Sequence, residues 1–185
     1  MTDFIEVYKG LASKEYCNDM ISRHKDLCKT VSSSKGEIDN GGLSERKDVS
    51  LYYERDAQDL AQRTNQVLDQ ALMQYIDKYP SYGMIQSYSQ VVKVQKTPPK
   101  GGFHKWHFEH GADIDSRNRS LVWMIYLNDC PKNEGSTEFL EYGRTIFPEE
   151  GSVVLFPAAW THAHRGNPVY GADKYIATGW YYWNG

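Results

Sequence analysis

The chain has 185 residues, a formal net charge of −3 and a pI near 6.1. That length suits a single domain with a sizeable core. The near-balanced charge gives no global electrostatic footprint for nucleic acid or an anionic membrane, so neither is an expected partner.

Cys17, Cys28 and Cys130 are odd in number and lack close zinc-type spacing. They do not read as a disulfide framework, and a reducing cytoplasm is the default location. Asp3 and Glu6 interrupt the first residues, so no signal-peptide core is expected, and no run of 18 apolar residues reads as a membrane span.

Residues 4–8 alternate apolar and polar, which predicts a short strand ended by Gly10. Ser13 is a candidate N-cap for a helix to about Leu27, with Glu15 near its positive end. Residues 32–44, polar and glycine-rich, read as a loop, and 49–53 as a strand. Leu60, Val67, Leu68, Ala71, Leu72, Tyr75, Ile76 and Tyr79 form a helical stripe that Pro80 stops. That stripe needs a partner surface, and a β-sheet is the expected one.

After Tyr82 the pattern changes to short strands between turns. Residues 90–96 alternate, with Val92 and Val94 on one face and Lys93 and Gln95 on the other; a loop at 97–102 follows. Residues 103–110, FHKWHFEH, read as a strand with Phe103, Lys105, His107 and Glu109 on one face. Residues 121–127 are continuously apolar, as in a strand buried on both faces. Further strands are expected at 137–140, 153–156, 162–165 and 174–182. Such spacing suggests a sandwich or barrel, of which the jelly roll is one solution.

An imidazole and a carboxylate two residues apart, His107 and Glu109, can converge on one metal ion. A second imidazole would complete the two-His-one-carboxylate triad that leaves positions open on non-haem Fe(II). His164 is preferred and His162 competes, because both would share a strand face; the ten-residue step from His164 to Lys174 favours His164. Lys174 heads an otherwise apolar and aromatic strand whose face it shares with Ile176, Thr178 and Trp180. A lysine there is costly to desolvate unless it meets an anion, either a protein carboxylate or a bound diacid. Tyr126 is a polar tip inside an apolar strand and needs a hydrogen-bond partner.

These segments resemble the Fe(II)/2-oxoglutarate-dependent oxygenases, in the prolyl-4-hydroxylase-like branch with compact phage and bacterial members. The matching pieces are WHFE at 106–109, MIYLND at 124–129, EGSTEFL at 134–140, LFPAAWTHAHRGNPV at 155–169 and KYIATGW at 174–180. The resemblance implies a mainly β fold, a double-stranded β-helix (jelly roll, cupin-like) over 84–183, with residues 1–80 as helical support in one domain over 1–185. It implies iron held by His107, Glu109 and His164, and 2-oxoglutarate held by Lys174, Tyr126 and Thr178. Trp180 would pack near the metal, and Arg165 is a candidate for the substrate vicinity.

The implied partners are dioxygen and 2-oxoglutarate, with ascorbate as a reductant. The implied reaction is hydroxylation of a C–H bond, with a prolyl residue in a peptide or protein as the first substrate. A free amino acid or small metabolite is the alternative. A cupin-type metalloenzyme without 2-oxoglutarate and a silent binding module are the competitors from other classes. Two residues depart from the family's commoner pattern: Glu109 stands where Asp is usual, and Glu134-Gly135-Ser136 replaces Gly-Gly-Glu. The carboxylate argues for hydroxylation, since halogenating relatives lack it.

Overall fold

The structure, a computed structural model, describes residues 2–30, 34–39 and 44–184. The chain runs β1 (Glu6–Tyr8), α1 (Lys14–Thr30), β2 (Ser34–Asp39), β3 (Ser44–Tyr52), α2 (Tyr53–Asp56) and α3 (Gln58–Lys78). A 3₁₀ turn at Pro80–Met84 leads to β4 (Ser87–Ser89), β5 (Lys93–Thr97), β6 (Arg119–Tyr126), β7 (Thr137–Phe139) and β8 (Arg144–Ile146). Then come β9 (Val153–Pro157), a 3₁₀ turn at Trp160–His162, β10 (His164–Gly166) and β11 (Lys174–Trp183).

The helices start and stop where local chemistry says they should. Ser13 caps α1, its Oγ accepting the Tyr16 N–H at 3.1 Å. In α3 the last helical N–H bond runs from Tyr79 to the Tyr75 carbonyl, and Pro80 then opens the 3₁₀ turn.

Antiparallel pairing builds an eight-stranded sheet in the order β1-β9-β6-β11-β5-β3-β2, with β4 added beside β11. A second, three-stranded sheet has the order β10-β7-β8. Alternation sends the side chains of the large sheet into two cores. Leu121, Trp123 and Ile125 of β6, Val153 and Leu155 of β9, and Tyr175 and Ala177 of β11 pack under α1 and α3. Their neighbours Val122, Met124, Tyr126, Val154 and Phe156 face Phe139 of β7 and Ile146 of β8. The expected partner surface for the helical stripe is therefore the large sheet, and the space between the two sheets is left for a site.

Three expectations are corrected. Residues 34–39 of the expected 32–44 loop form β2, an edge strand of the large sheet; 32, 33 and 40–43 lie outside the described residues. The 103–110 segment is extended but not a regular strand. It bridges His107 to His164, with amide-to-carbonyl distances of 3.0 and 2.8 Å, and the Gly166 N–H also donates to the Phe103 carbonyl at 2.8 Å, before the Glu109 and His110 N–H groups both turn to the Ala158 carbonyl. The strand expected at 162–165 begins only at His164, because His162 lies in the 3₁₀ turn.

Candidate active site

The bridge between His107 and His164 puts two imidazoles side by side across the open edge of the small sheet, with ring centroids 4.3 Å apart. Each ring is oriented from behind. His107 Nδ1 donates to the Lys105 carbonyl at 2.9 Å, and His164 Nδ1 donates to the His162 carbonyl at 3.0 Å. A carbonyl only accepts, so both Nδ1 atoms carry the proton and both Nε2 lone pairs are free. Phe103 packs on the His107 ring and Phe156 on the His164 ring, at centroid distances of 4.1 and 4.8 Å.

Glu109 closes the group. Its Oε1 lies 3.4 Å from His107 Nε2 and 3.9 Å from His164 Nε2. One ligand atom from each of the three residues lies within 4.8 Å of the others. Burial pushes the Glu109 carboxyl up, but the hydrogen bond and charge that the His107 ring offers once doubly protonated, with the charges of His164 and Lys93, outweigh it and bring the pKa to about 2. Burial, with the neighbouring His107, pushes His164 down to about 4. At neutral pH the cluster is thus a carboxylate beside a neutral His164 imidazole, and it suits a divalent first-row metal. Two imidazoles and one carboxylate on one side leave the remaining positions to other ligands.

His162 is not in this group. Its Nε2 donates to the Asp3 carbonyl at 2.7 Å and its Nδ1 meets Thr161 Oγ1 at 2.9 Å. His104 is also occupied elsewhere, with Nδ1 bonded to the Gly166 carbonyl at 2.9 Å.

The three donors line a cavity of about 300 Å³ between the sheets, whose walls include Thr97, Met124, Thr137, Ile176, Thr178 and Trp180. Lys174 lines the same cavity and is only 7% exposed. Its Nζ donates to the Gly135 carbonyl at 2.6 Å and lies 5.4 Å from the centre of the Tyr126 ring. Among the described residues no carboxylate meets it. Burial pushes this amine down to about 8, against a smaller opposing pull from Cys130. Gly135 makes the close approach possible. Its φ is +64°, and a Cβ there would sit 3.3 Å from both Lys174 Cδ and Cys130 Sγ.

The other expected residues fall at different distances from the cavity. Trp180 lines it and donates from Nε1 to Glu109 Oε2 at 3.0 Å. Thr178 lines it too, but its hydroxyl donates across the sheet to the Trp123 carbonyl at 2.9 Å. Tyr126 is fully buried one layer back. Its hydroxyl meets Thr137 Oγ1 at 3.0 Å and the Ile146 carbonyl at 3.4 Å, so Thr137 is the hydroxyl on the wall. Arg165 points to the rim, paired with Glu138 at 2.8 Å and stacked 4.4 Å from the Trp106 ring centre.

Two functional candidates, Thr137 and Arg119, escape a sequence reading. Arg119 Nη1 lies 3.3 Å from Glu109 Oε2. Both were visible only as a threonine and an arginine at strand starts, with nothing local to relate them to residues on other strands.

Comparison with known proteins agrees with this geometry. Over 95 residues the chain is 27% identical to the prolyl 4-hydroxylase subunit alpha-1 of Gallus gallus, an alignment covering 43% of this chain and 18% of that protein. The chain therefore spans less than a fifth of that curated relative. A prolyl-4-hydroxylase from Pseudomonas putida superposes with a TM-score of 0.77 at 18% identity, covering 100% of this chain and 95% of the other. A prolyl hydroxylase from Trichoplax adhaerens, in complex with a hypoxia inducible factor peptide fragment, gives 0.74 at 17% identity, covering 98% and 84%. The fold is thus the mainly β, double-stranded β-helix that the resemblance implied. Residues 90–182, half of the chain, match the 2OG-Fe(II) oxygenase superfamily as a whole, and the chain belongs to that superfamily.

Proposed function

We propose that this chain is an Fe(II)- and 2-oxoglutarate-dependent dioxygenase that hydroxylates a C–H bond, with a prolyl residue in a peptide or protein as the substrate. One observation carries the reading: a two-His-one-carboxylate cluster and a buried lysine that meets no carboxylate among the described residues line one cavity. Superfamily membership and the prolyl hydroxylases among the structural neighbours support it.

His107, Glu109 and His164 would hold the iron. When bound, iron and 2-oxoglutarate would activate dioxygen, the oxidant: 2-oxoglutarate would give up two electrons and leave as succinate and carbon dioxide, with one oxygen atom of dioxygen going into the succinate and the other into the substrate C–H bond. The residues supply binding and order. Lys174 would neutralise the distal carboxylate of 2-oxoglutarate from its buried position on the cavity wall. Thr137 adds a hydroxyl on the same wall, with Tyr126 behind it and Thr178 beside it. Met124, Ile176 and Phe156 supply the apolar part of the wall, and low-polarity surroundings strengthen an ion contact. The Lys105 and His162 carbonyls fix both imidazole tautomers, so neither ring has to reorient before it takes a metal.

Peptidyl proline is the first substrate because the Trichoplax neighbour is a prolyl hydroxylase with a peptide bound. Three free cysteines suit a reducing compartment, the cytoplasm, and ascorbate would serve as reductant. The test is succinate release from 2-oxoglutarate with Fe(II) and ascorbate, together with a search for a gain of about 16 Da, one oxygen atom, on proline-containing peptides. Succinate release abolished in His164→Ala and Lys174→Ala supports the reading. Turnover indifferent to both substitutions overturns it.

A further inference from the structure

The two oxygens of Glu109 are treated differently by the protein. Oε1 faces the histidines, 3.4 and 3.9 Å from their Nε2 atoms. Oε2 faces away and accepts two hydrogen bonds, from Trp180 Nε1 at 3.0 Å and Arg119 Nη1 at 3.3 Å. The two donors brace each other. The Arg119 guanidinium lies 3.8 Å from the centre of the Trp180 ring, and the same Nη1 also donates to the Glu109 backbone carbonyl at 3.1 Å.

The arrangement matters because the acid is a glutamate. Glu has one more rotatable bond than Asp, so its carboxylate can swing further around a cation. Free carboxylates bind cations through one oxygen or through both. Ligation through both would fill one of the positions that a facial triad must leave open. Hydrogen bonds to Oε2 from a rigid indole and a guanidinium stacked on it oppose that swing.

We propose that Trp180 and Arg119 are positioning residues that restrict Glu109 to ligation through Oε1 alone, and so keep a coordination position open for co-substrate. The inference rests on the metal-site reading given under Proposed function. It concerns the geometry of the ligand rather than the presence of one.

Mn(II) is the probe, read in two ways: its affinity, and the number of coordinated waters counted by the broadening of its electron paramagnetic resonance lines in ¹⁷O-enriched water. Wild type should hold about three waters. Trp180→Phe, which keeps a ring and loses the N–H, and Arg119→Met should each hold about two, with Mn(II) affinity equal to or above wild type. The affinity of these Mn(II)-loaded variants for 2-oxoglutarate should fall about tenfold, within the range for partners behind a metal ligand. Trp180→His and Arg119→Lys retain donors and should recover the wild-type count.

Wild-type water counts in Trp180→Phe and Arg119→Met would overturn the proposal. So would Mn(II) and 2-oxoglutarate affinities that fall together with an unchanged water count, because that pattern marks a merely structural role. Failure of the wild-type chain itself to bind Mn(II) would instead remove the metal-site reading, and this inference with it.

Discussion

The two faces of the large sheet make opposite use of the same strands. Toward the helices, β6, β9 and β11 present Leu121, Trp123, Ile125, Leu155 and Ala177, all apolar and buried. Toward the small sheet, one residue out of phase, β11 presents Lys174, Thr178 and Trp180, while β6 and β9 supply only an apolar floor from Val122, Met124 and Phe156. A period of two lets a single strand serve both purposes. The helix-covered face gains from complete burial, and the cavity face gives some of it up to keep polar groups facing a ligand. Stability and chemistry should therefore separate under substitutions at neighbouring positions.

The largest separation is expected at the metal cluster. His164→Ala removes a ligand and should weaken Mn(II) binding by more than about 100-fold, beyond the effect of losing a partner behind a ligand. Its stability without metal should fall by less than that of a core truncation, since it loses the Nδ1 bond to the His162 carbonyl and the ring contact with Phe156 but opens no hole under the helices. Leu155→Ala, on the helix-covered face of β9, should do the reverse. It leaves a hole under the helices and should cost about 2–5 kcal/mol of stability in denaturant titration, with Mn(II) affinity of the folded fraction unchanged. Equal effects of both substitutions on both measurements would erase the distinction between the faces.

This division was legible in the sequence where alternation is local. The faces of residues 90–96 and 174–182 and the doubly buried run at 121–127 are patterns within one segment, and the fold preserves them. The spacing of His107 and Glu109 was equally plain, although the segment that carries them is held by isolated bridges rather than a continuous ladder. Partner strand β10 has only three residues, so there is little for a longer strand to pair with. Ser34–Asp39 read as a loop because it is polar. It is an edge strand of the large sheet, and composition alone does not tell such an edge from a loop. Thr137 and Arg119 were invisible for another reason: register between strands distant in the chain, such as Arg119 opposite Tyr182, is set by packing.

Lys174 offers the next test, because its charge belongs to the site and its burial to the core. Lys174→Met should lower 2-oxoglutarate affinity by about 30-fold or more, the usual cost of truncating one side of a buried charged pair. The same substitution should raise the stability of the chain without co-substrate at pH 7. The folded-state pKa, about 8, lies below the ordinary 10.5 of the unfolded chain. Below pH 8 both states are protonated, and folding bears the full cost of burying the charge. Between pH 8 and 10.5 the folded chain loses the proton first, so wild-type stability rises with pH and the gap to Lys174→Met closes. Binding follows the opposite course. Above pH 8 the dianion binds only with uptake of a proton, so wild-type affinity for 2-oxoglutarate should fall about tenfold per pH unit, and Lys174→Met should lack that slope. Calorimetric titration at several pH values measures both.

The smallest effect divides Tyr126 from Thr137 and places the boundary between face and core on that wall. The resemblance assigns the contact with the distal carboxylate to Tyr126, yet its ring fills the inter-sheet core and, among the described residues, its hydroxyl reaches only Thr137 and the Ile146 carbonyl. Thr137 Oγ1 has the cavity on its other side. Thr137→Val, which keeps the shape and deletes the hydroxyl, should reduce 2-oxoglutarate affinity about tenfold or more, as expected for a hydrogen bond to a charged acceptor. Tyr126→Phe deletes a group one bond further back and should reduce it only about two- to fivefold, through loss of a neutral hydrogen bond that orients Thr137. The reverse ranking would put the Tyr126 hydroxyl in direct contact with the co-substrate. That contact would require Thr137 to turn aside when the cavity fills, so the inner wall would be set by the ligand rather than by the free chain.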